Sequence, residues 1–89
     1  MGDRKAVIKY TNMDNRMVEF AINTAAEGFD RYEVSKEIAD HIKRTFDKKY
    51  ERTWHCVVGK DFGSSVTHTE NSLIHFTLDK RTVMLYKWG

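Results

Sequence analysis

Apolar residues recur at one period up to about Arg52 and at another beyond Thr53, and that single change constrains the fold more than any other feature of this chain. From Met17 the apolar or small positions are Phe20, Ala21, Thr24, Ala25, Gly28, Phe29 and Tyr32, then Ile38, Ile42, Phe46 and Tyr50. Spacings of three and four place them along one face of an α-helix. After Arg52 the period becomes two: Trp54, Cys56 and Val58 share one side of a strand and His55 and Val57 the other. Helices that come first and strands that come later predict an α+β fold, with two helices against a mainly antiparallel β-sheet.

The elements follow from local signals. Ala6–Tyr10 is a short β-leaning run, and Asn12 or Asp14 can accept the first free N–H groups of a helix expected over Asn15–Arg31. Ser35 is placed to cap a second helix over Lys36–Lys49, and the absence of proline leaves both helices without a forced kink. Gly59 and Gly63 bracket a turn after the Trp54 strand. Residues 64–68, Ser-Ser-Val-Thr-His, read as an edge strand too polar to lie deep in a sheet. Leu73–Leu78 and Thr82–Trp88 make a hairpin across Asp79-Lys80-Arg81, so the expected order is β-α-α-β-β-β-β in a single domain over residues 1–89.

With 89 residues the chain buries only about 60–65% of its unfolded surface. A core of that size, with a single cysteine and hence no internal disulfide, favours oligomerisation as a further source of stability. No apolar run reaches the ~18 residues of a membrane span and no leader pattern opens the chain, which predicts an intracellular protein without membrane insertion. A net charge of +2 is far from the single-sign field that draws proteins to nucleic acid.

Sites with chemistry are sparse. His55 and Cys56 are adjacent on a strand and project to opposite faces, while Glu37 and His41 share a helix face but fall short of a metal ligand set. Asp61-Phe62-Gly63 matches a kinase string without the rest of a kinase, and Gly59 and Gly63 lack the Gly-Lys-Ser/Thr of a phosphate loop. Lys43, Arg44, Lys48 and Lys49 alternate with Asp40, Asp47 and Glu51 as a solvated helix face does. No nucleophile, base and orienting group stand out, so neither an enzyme nor a cofactor is expected. The edge strand is the exception. An unpaired row of N–H and C=O groups on a β-branched segment needs a cover, and a second subunit or a peptide added as a strand supplies one.

Longer strings carry a resemblance. Asp3 to Lys9, Ile38-Ala39 with His41-Ile42-Lys43, Phe46 to Tyr50, Thr53 to Cys56, Phe62-Gly63-Ser64 and Val66-Thr67-His68 resemble the eight-kilodalton class of dynein light chains, over all 89 positions. The resemblance implies a homodimer in which the strand after Trp54-His55-Cys56 is followed by one swapped into the partner's sheet. It also implies two grooves at the dimer interface, where client segments centred on Gln-Thr or Gly-Ile-Gln add as strands. Implied clients include the dynein intermediate chain, and the implied setting is cytoplasmic or axonemal and cytoskeleton-associated.

Carried over position by position, the implied peptide-binding residues are Lys9, Ser35, Lys36, Phe62, Gly63, Ser64, Ser65, Val66, Thr67, His68, Leu73, His75 and Thr77. The implied dimer interface comprises His55, Lys60, Asp61, Phe62, Gly63 and Ser64, and like charges brought together at His55 imply dissociation in acid. Departures from the family pattern are Ser35 for glutamate, Ser65, His75 and Thr77 for tyrosine, Leu73 for phenylalanine, Arg52 for proline and Trp88 for serine. Several border the groove, so client preference is expected to differ, and regulation by phosphorylation at position 88 does not carry over.

Overall fold

The computed structural model describes residues 4–60 and 72–87, which form β1 (Ala6–Thr11), α1 (Asn15–Arg31), α2 (Ser35–Tyr50), β2 (Trp54–Gly59), β3 (Leu73–Leu78) and β4 (Arg81–Lys87). The four strands make one antiparallel sheet in the order β1-β3-β4-β2. The expected edge strand over 64–68 lies outside the described residues.

Of the two candidate caps of α1, Asp14 is the one used: its Oδ1 accepts from the Met17 amide at 2.9 Å. Asn12 is engaged elsewhere, accepting from the Leu73 amide at 2.9 Å and so fastening the end of β1 to the start of β3. Ser35 does not cap α2, contrary to the sequence expectation. The cap position falls on Val34, whose carbonyl receives the Glu37 and Ile38 amides at 3.0 and 3.1 Å but whose side chain offers no acceptor. Ser35 is instead the first helical residue, and from there Ile38, Ile42 and Phe46 follow at four-residue spacing into the core, each burial contributing about 1.5–3 kcal/mol. Glu51, at φ 70°, ends the helix.

The helices pack on one face of the sheet. α1 contributes the small residues Ala21, Ala25 and Gly28, and a Cβ at Gly28 would stand 3.2 Å from the His41 ring and 3.3 Å from Ile38, so a larger residue there would require those side chains to give way. From the sheet come Trp54, Val58, Ile74, Phe76, Leu78, Val83 and Leu85. Phe46 joins the layers, with ring centroids 4.9 Å from Trp54, 5.2 Å from Phe20 and 5.3 Å from Tyr50. Asp47 adds a polar clamp, accepting from the Trp54 amide at 2.9 Å and pairing with Lys43 at 2.6 Å.

The β3–β4 connection is shorter than the sequence implied. Arg81 pairs with Leu78 and belongs to β4, leaving Asp79 and Lys80 as the turn. Asp79 adopts φ 57°, a left-handed conformation that aspartate tolerates better than most residues, and its amide and carboxylate both bond to the Lys5 backbone. The described part of β4 ends at Lys87, and Trp88 lies outside it.

Candidate functional site: the uncovered sheet face and the edge of β2

Strand alternation gives the sheet a second face that neither helix covers. Register places Tyr10, His75, Met84 and Val57 in one row across the four strands, Val7, Thr77, Thr82 and Gly59 in the next, and Leu73, Tyr86 and His55 in a third. None of these residues belongs to the cluster formed with the helices. Val7 and Tyr10 on β1 and Val57 on β2, the two outer strands, are each more than two-fifths exposed, whereas Leu73, Thr82 and Met84 on the inner strands between them are buried. His55 stacks on Tyr86 with centroids 5.4 Å apart and planes 26° from parallel, a flat aromatic step at the β2 side.

This face brings together four residues implied by the resemblance: Leu73, His75, Thr77 and His55. Alternation within Leu73–Leu78 and Trp54–Val58 already separated them from the core positions. Met84, Val57 and Tyr86 share the face and were missed as site residues, although the same period-two pattern in Thr82–Trp88 would have found Met84 and Tyr86. Lys9 stands apart, exposed on β1 where the register with β3 shifts between Ile8 and Tyr10. Lys60 is exposed just beyond β2. Asp61, Phe62, Gly63, Ser64, Ser65, Val66, Thr67 and His68 lie outside the described residues.

A second element of the site flanks β2. Among the described residues β2 is bonded to a strand only on its β4 side, and α2 packs along it. A cleft of about 840 Å³ follows the outer flank of α2 from Tyr32 and Lys36 to Lys48 and reaches Cys56 on β2. Because Val34 provides no side-chain cap, the first amides of α2 at Ser35 and Lys36 keep the capacity to bind acceptor groups, favoured further by the helix dipole. The arrangement offers backbone donors and acceptors at a sheet edge beside a helix N-terminus, which is a means of holding an extended chain.

Cys56 is half-buried, and desolvation pushes its thiol above the ordinary range, which disfavours the thiolate. His41 bonds Glu27 of α1 at 3.2 Å, across the helix pair, and not Glu37 of its own helix. Among the described residues no three His, Cys, Asp or Glu side chains converge as a metal site. No described helix is long and apolar enough to cross a membrane.

Comparison with known proteins agrees with this architecture. The family model described as dynein light chain type 1 matches residues 5–88. A dynein light chain of Schistosoma mansoni is 49% identical over 89 residues, covering all of both chains. Among solved structures, the dynein light chain-like domain of the Fasciola hepatica calcium binding protein FhCaBP2 superposes with a TM-score of 0.76 at 22% identity, over 98% of this chain and 94% of that one. A mercury derivative of the same domain gives a TM-score of 0.80 at 18% identity, over 94% and 92% of the two chains. Similarity at that identity speaks for the fold alone.

Proposed function

The chain belongs to the dynein light chain family, and from that premise we propose that it is a non-catalytic homodimeric adaptor of dynein that grips short extended segments of client proteins. The observation that carries the reading is the sheet face that neither helix covers, apolar and exposed on its outer strands, next to β2, which among the described residues pairs with a strand on one side only. In the proposed dimer the two outer faces meet near His55, and a strand over 64–68 crosses to extend the partner's sheet beside β2. A client then adds as the next strand, with its backbone on 64–68. Phe62 and Lys9 stand at the groove ends, Leu73, His75 and Thr77 line one wall, and Lys36 and Ser35 reach the client from the first turn of α2.

Two grooves on one dimer hold two client chains side by side, which raises avidity by about 10²–10⁴ without new contacts. This accounts for a chain of this size acting as a dimerising subunit of a cytoplasmic or axonemal motor. A second reading, a dimerisation hub serving clients other than dynein, draws support from the departures at Ser35, His75 and Thr77. Two of these, His75 and Thr77, sit on the uncovered face.

Position 35 supplies the test. Glutamine in a Gln-Thr client can donate as well as accept, and with Ser35 the contact is neutral, about 0.5–1.5 kcal/mol; with glutamate it becomes charge-assisted, about 1.5–3 kcal/mol. Calorimetry should therefore show one Gln-Thr peptide bound per chain. Replacing its glutamine by alanine should cost less affinity in the wild type than in Ser35→Glu. Equal costs in both proteins would remove Ser35 from the groove, and no binding by either would defeat the peptide-adaptor reading.

A further inference from the structure

At the end of the sheet opposite Leu73, the β3–β4 turn, the start of β1 and the end of α1 enclose a second cleft of about 770 Å³, within the size range of small-ligand sites. Its floor is apolar, made by Phe29, Tyr32 and Ile38, while Lys5, Lys80 and Arg81 contribute cationic groups. Arg4 and Arg81 both approach the Phe29 ring, with guanidinium carbons 5.4 and 5.5 Å from its centroid. The two arginines differ in one respect. Arg4 is paired, with Asp30 at 2.7 Å and Asp79 at 2.6 Å, and these bonds raise its pKa. Arg81 Nη1 is buried and has no hydrogen-bond partner.

The local acids do not relieve Arg81. Asp79 receives the Lys5 amide on Oδ1 and Arg4 on Oδ2. Glu33, the other acid bordering the cleft, is exposed. A buried guanidinium N–H without an acceptor is costly to retain, and a turn of the Arg81 side chain off the Phe29 ring would carry it into the cleft, where two lysines and room for a ligand stand.

We propose that this cleft binds an organic carboxylate: an acid group received by Arg81 with support from Lys5 and Lys80, joined to an aromatic or aliphatic body that lies on Phe29, Tyr32 and Ile38. A planar carboxylate matches the fork of the guanidinium better than a point charge does, and the apolar floor selects against a bare inorganic anion. The same chemistry is offered by a free small acid and by an acidic residue next to an aromatic one in a protein segment. Lys60 also borders the cleft but is not required, so the proposal stands apart from the peptide groove and its dimer interface.

The test is a titration of the full chain, followed by heteronuclear NMR, with 3-phenylpropionate, with its uncharged amide 3-phenylpropanamide, with inorganic phosphate, and with N-acetyl-Phe-Asp-amide. Saturable shifts are expected at Lys5, Phe29 and Arg81 with the acid, and at least about tenfold weaker binding is expected for the amide and for phosphate. Arg81→Met, which keeps the aliphatic bulk over Phe29, should weaken the acid by a similar factor. Tighter binding of the dipeptide than of the free acid marks a protein segment as the source, and the reverse marks a small molecule. Equal binding of acid and amide in the wild-type protein, equal binding of phosphate, shifts confined to the α2 cleft, or no saturable shift at millimolar acid would each overturn the proposal.

Discussion

Removing the carboxylate of Asp47 should unfasten β2 from α2 at a calculable cost. In the native chain Asp47 accepts from the Trp54 amide at 2.9 Å and from the Lys43 ammonium at 2.6 Å, with 13% of its side chain exposed. Burial disfavours the charged form, but the bonds from Lys43 and the Trp54 amide outweigh it, and the carboxyl stays below the usual carboxylate range. Hydrogen bonds to charged groups contribute about 1.5–3 kcal/mol, so Asp47→Ala should lower stability by about that amount, or Tm by roughly 10 °C for a domain of this size. Asp47→Asn keeps an acceptor for the Trp54 amide and loses the charge, so it should fall between. The measurement is urea and thermal unfolding at fixed protein concentration, since stability of the proposed dimer would depend on it.

The pH dependence has a definite sign. A carboxyl whose folded pKa is depressed contributes fully above its unfolded value near 3.9, and the contribution disappears as pH falls through the folded value. The gap between wild type and Asp47→Ala should therefore be constant around neutrality and close below about pH 4. Unfolding midpoints for Asp47→Ala within about 0.5 kcal/mol of wild type at pH 7 would refute the clamp. A gap that widens in acid would refute the assignment of its ionised form.

Other outcomes follow from the same contacts. Cys56, half-buried at the α2 cleft with its thiol pushed up by desolvation, should be alkylated more slowly in the native protein at neutral pH than in urea; equal rates would contradict the disfavoured thiolate. Gly28→Ala should destabilise by about 1–3 kcal/mol through the His41 and Ile38 contacts, despite a gain of about 1 kcal/mol in helix propensity, and a raised Tm would show that the helix pair can move apart. The proposed dimer should dissociate on acidification, as sedimentation would show, and His55→Gln should resist it. An equally acid-labile His55→Gln dimer would acquit that residue.

Sequence by itself determined the parts of this protein that depend on repeating pattern. The four-residue spacing of Ile38, Ile42 and Phe46 and the alternation of Trp54, Cys56 and Val58 locate both helices and assign the core face of the sheet, because burial has to follow the period of the backbone. The strings shared with dynein light chains gave the family. Long-range packing decided the rest. Asp14 caps α1 because Asn12 is held by Leu73 across the sheet. The cap position of α2 falls on Val34 and not on Ser35. Local sequence does not record such competition between a near partner and a distant one. The strand order β1-β3-β4-β2, which gathers His55, His75 and Tyr10 onto the face opposite the helices, and the burial of Arg81 Nη1 without a partner depend on which strands become neighbours. That choice is made by the tertiary fold, since alternation tells a strand which side to bury but not which strand to lie beside.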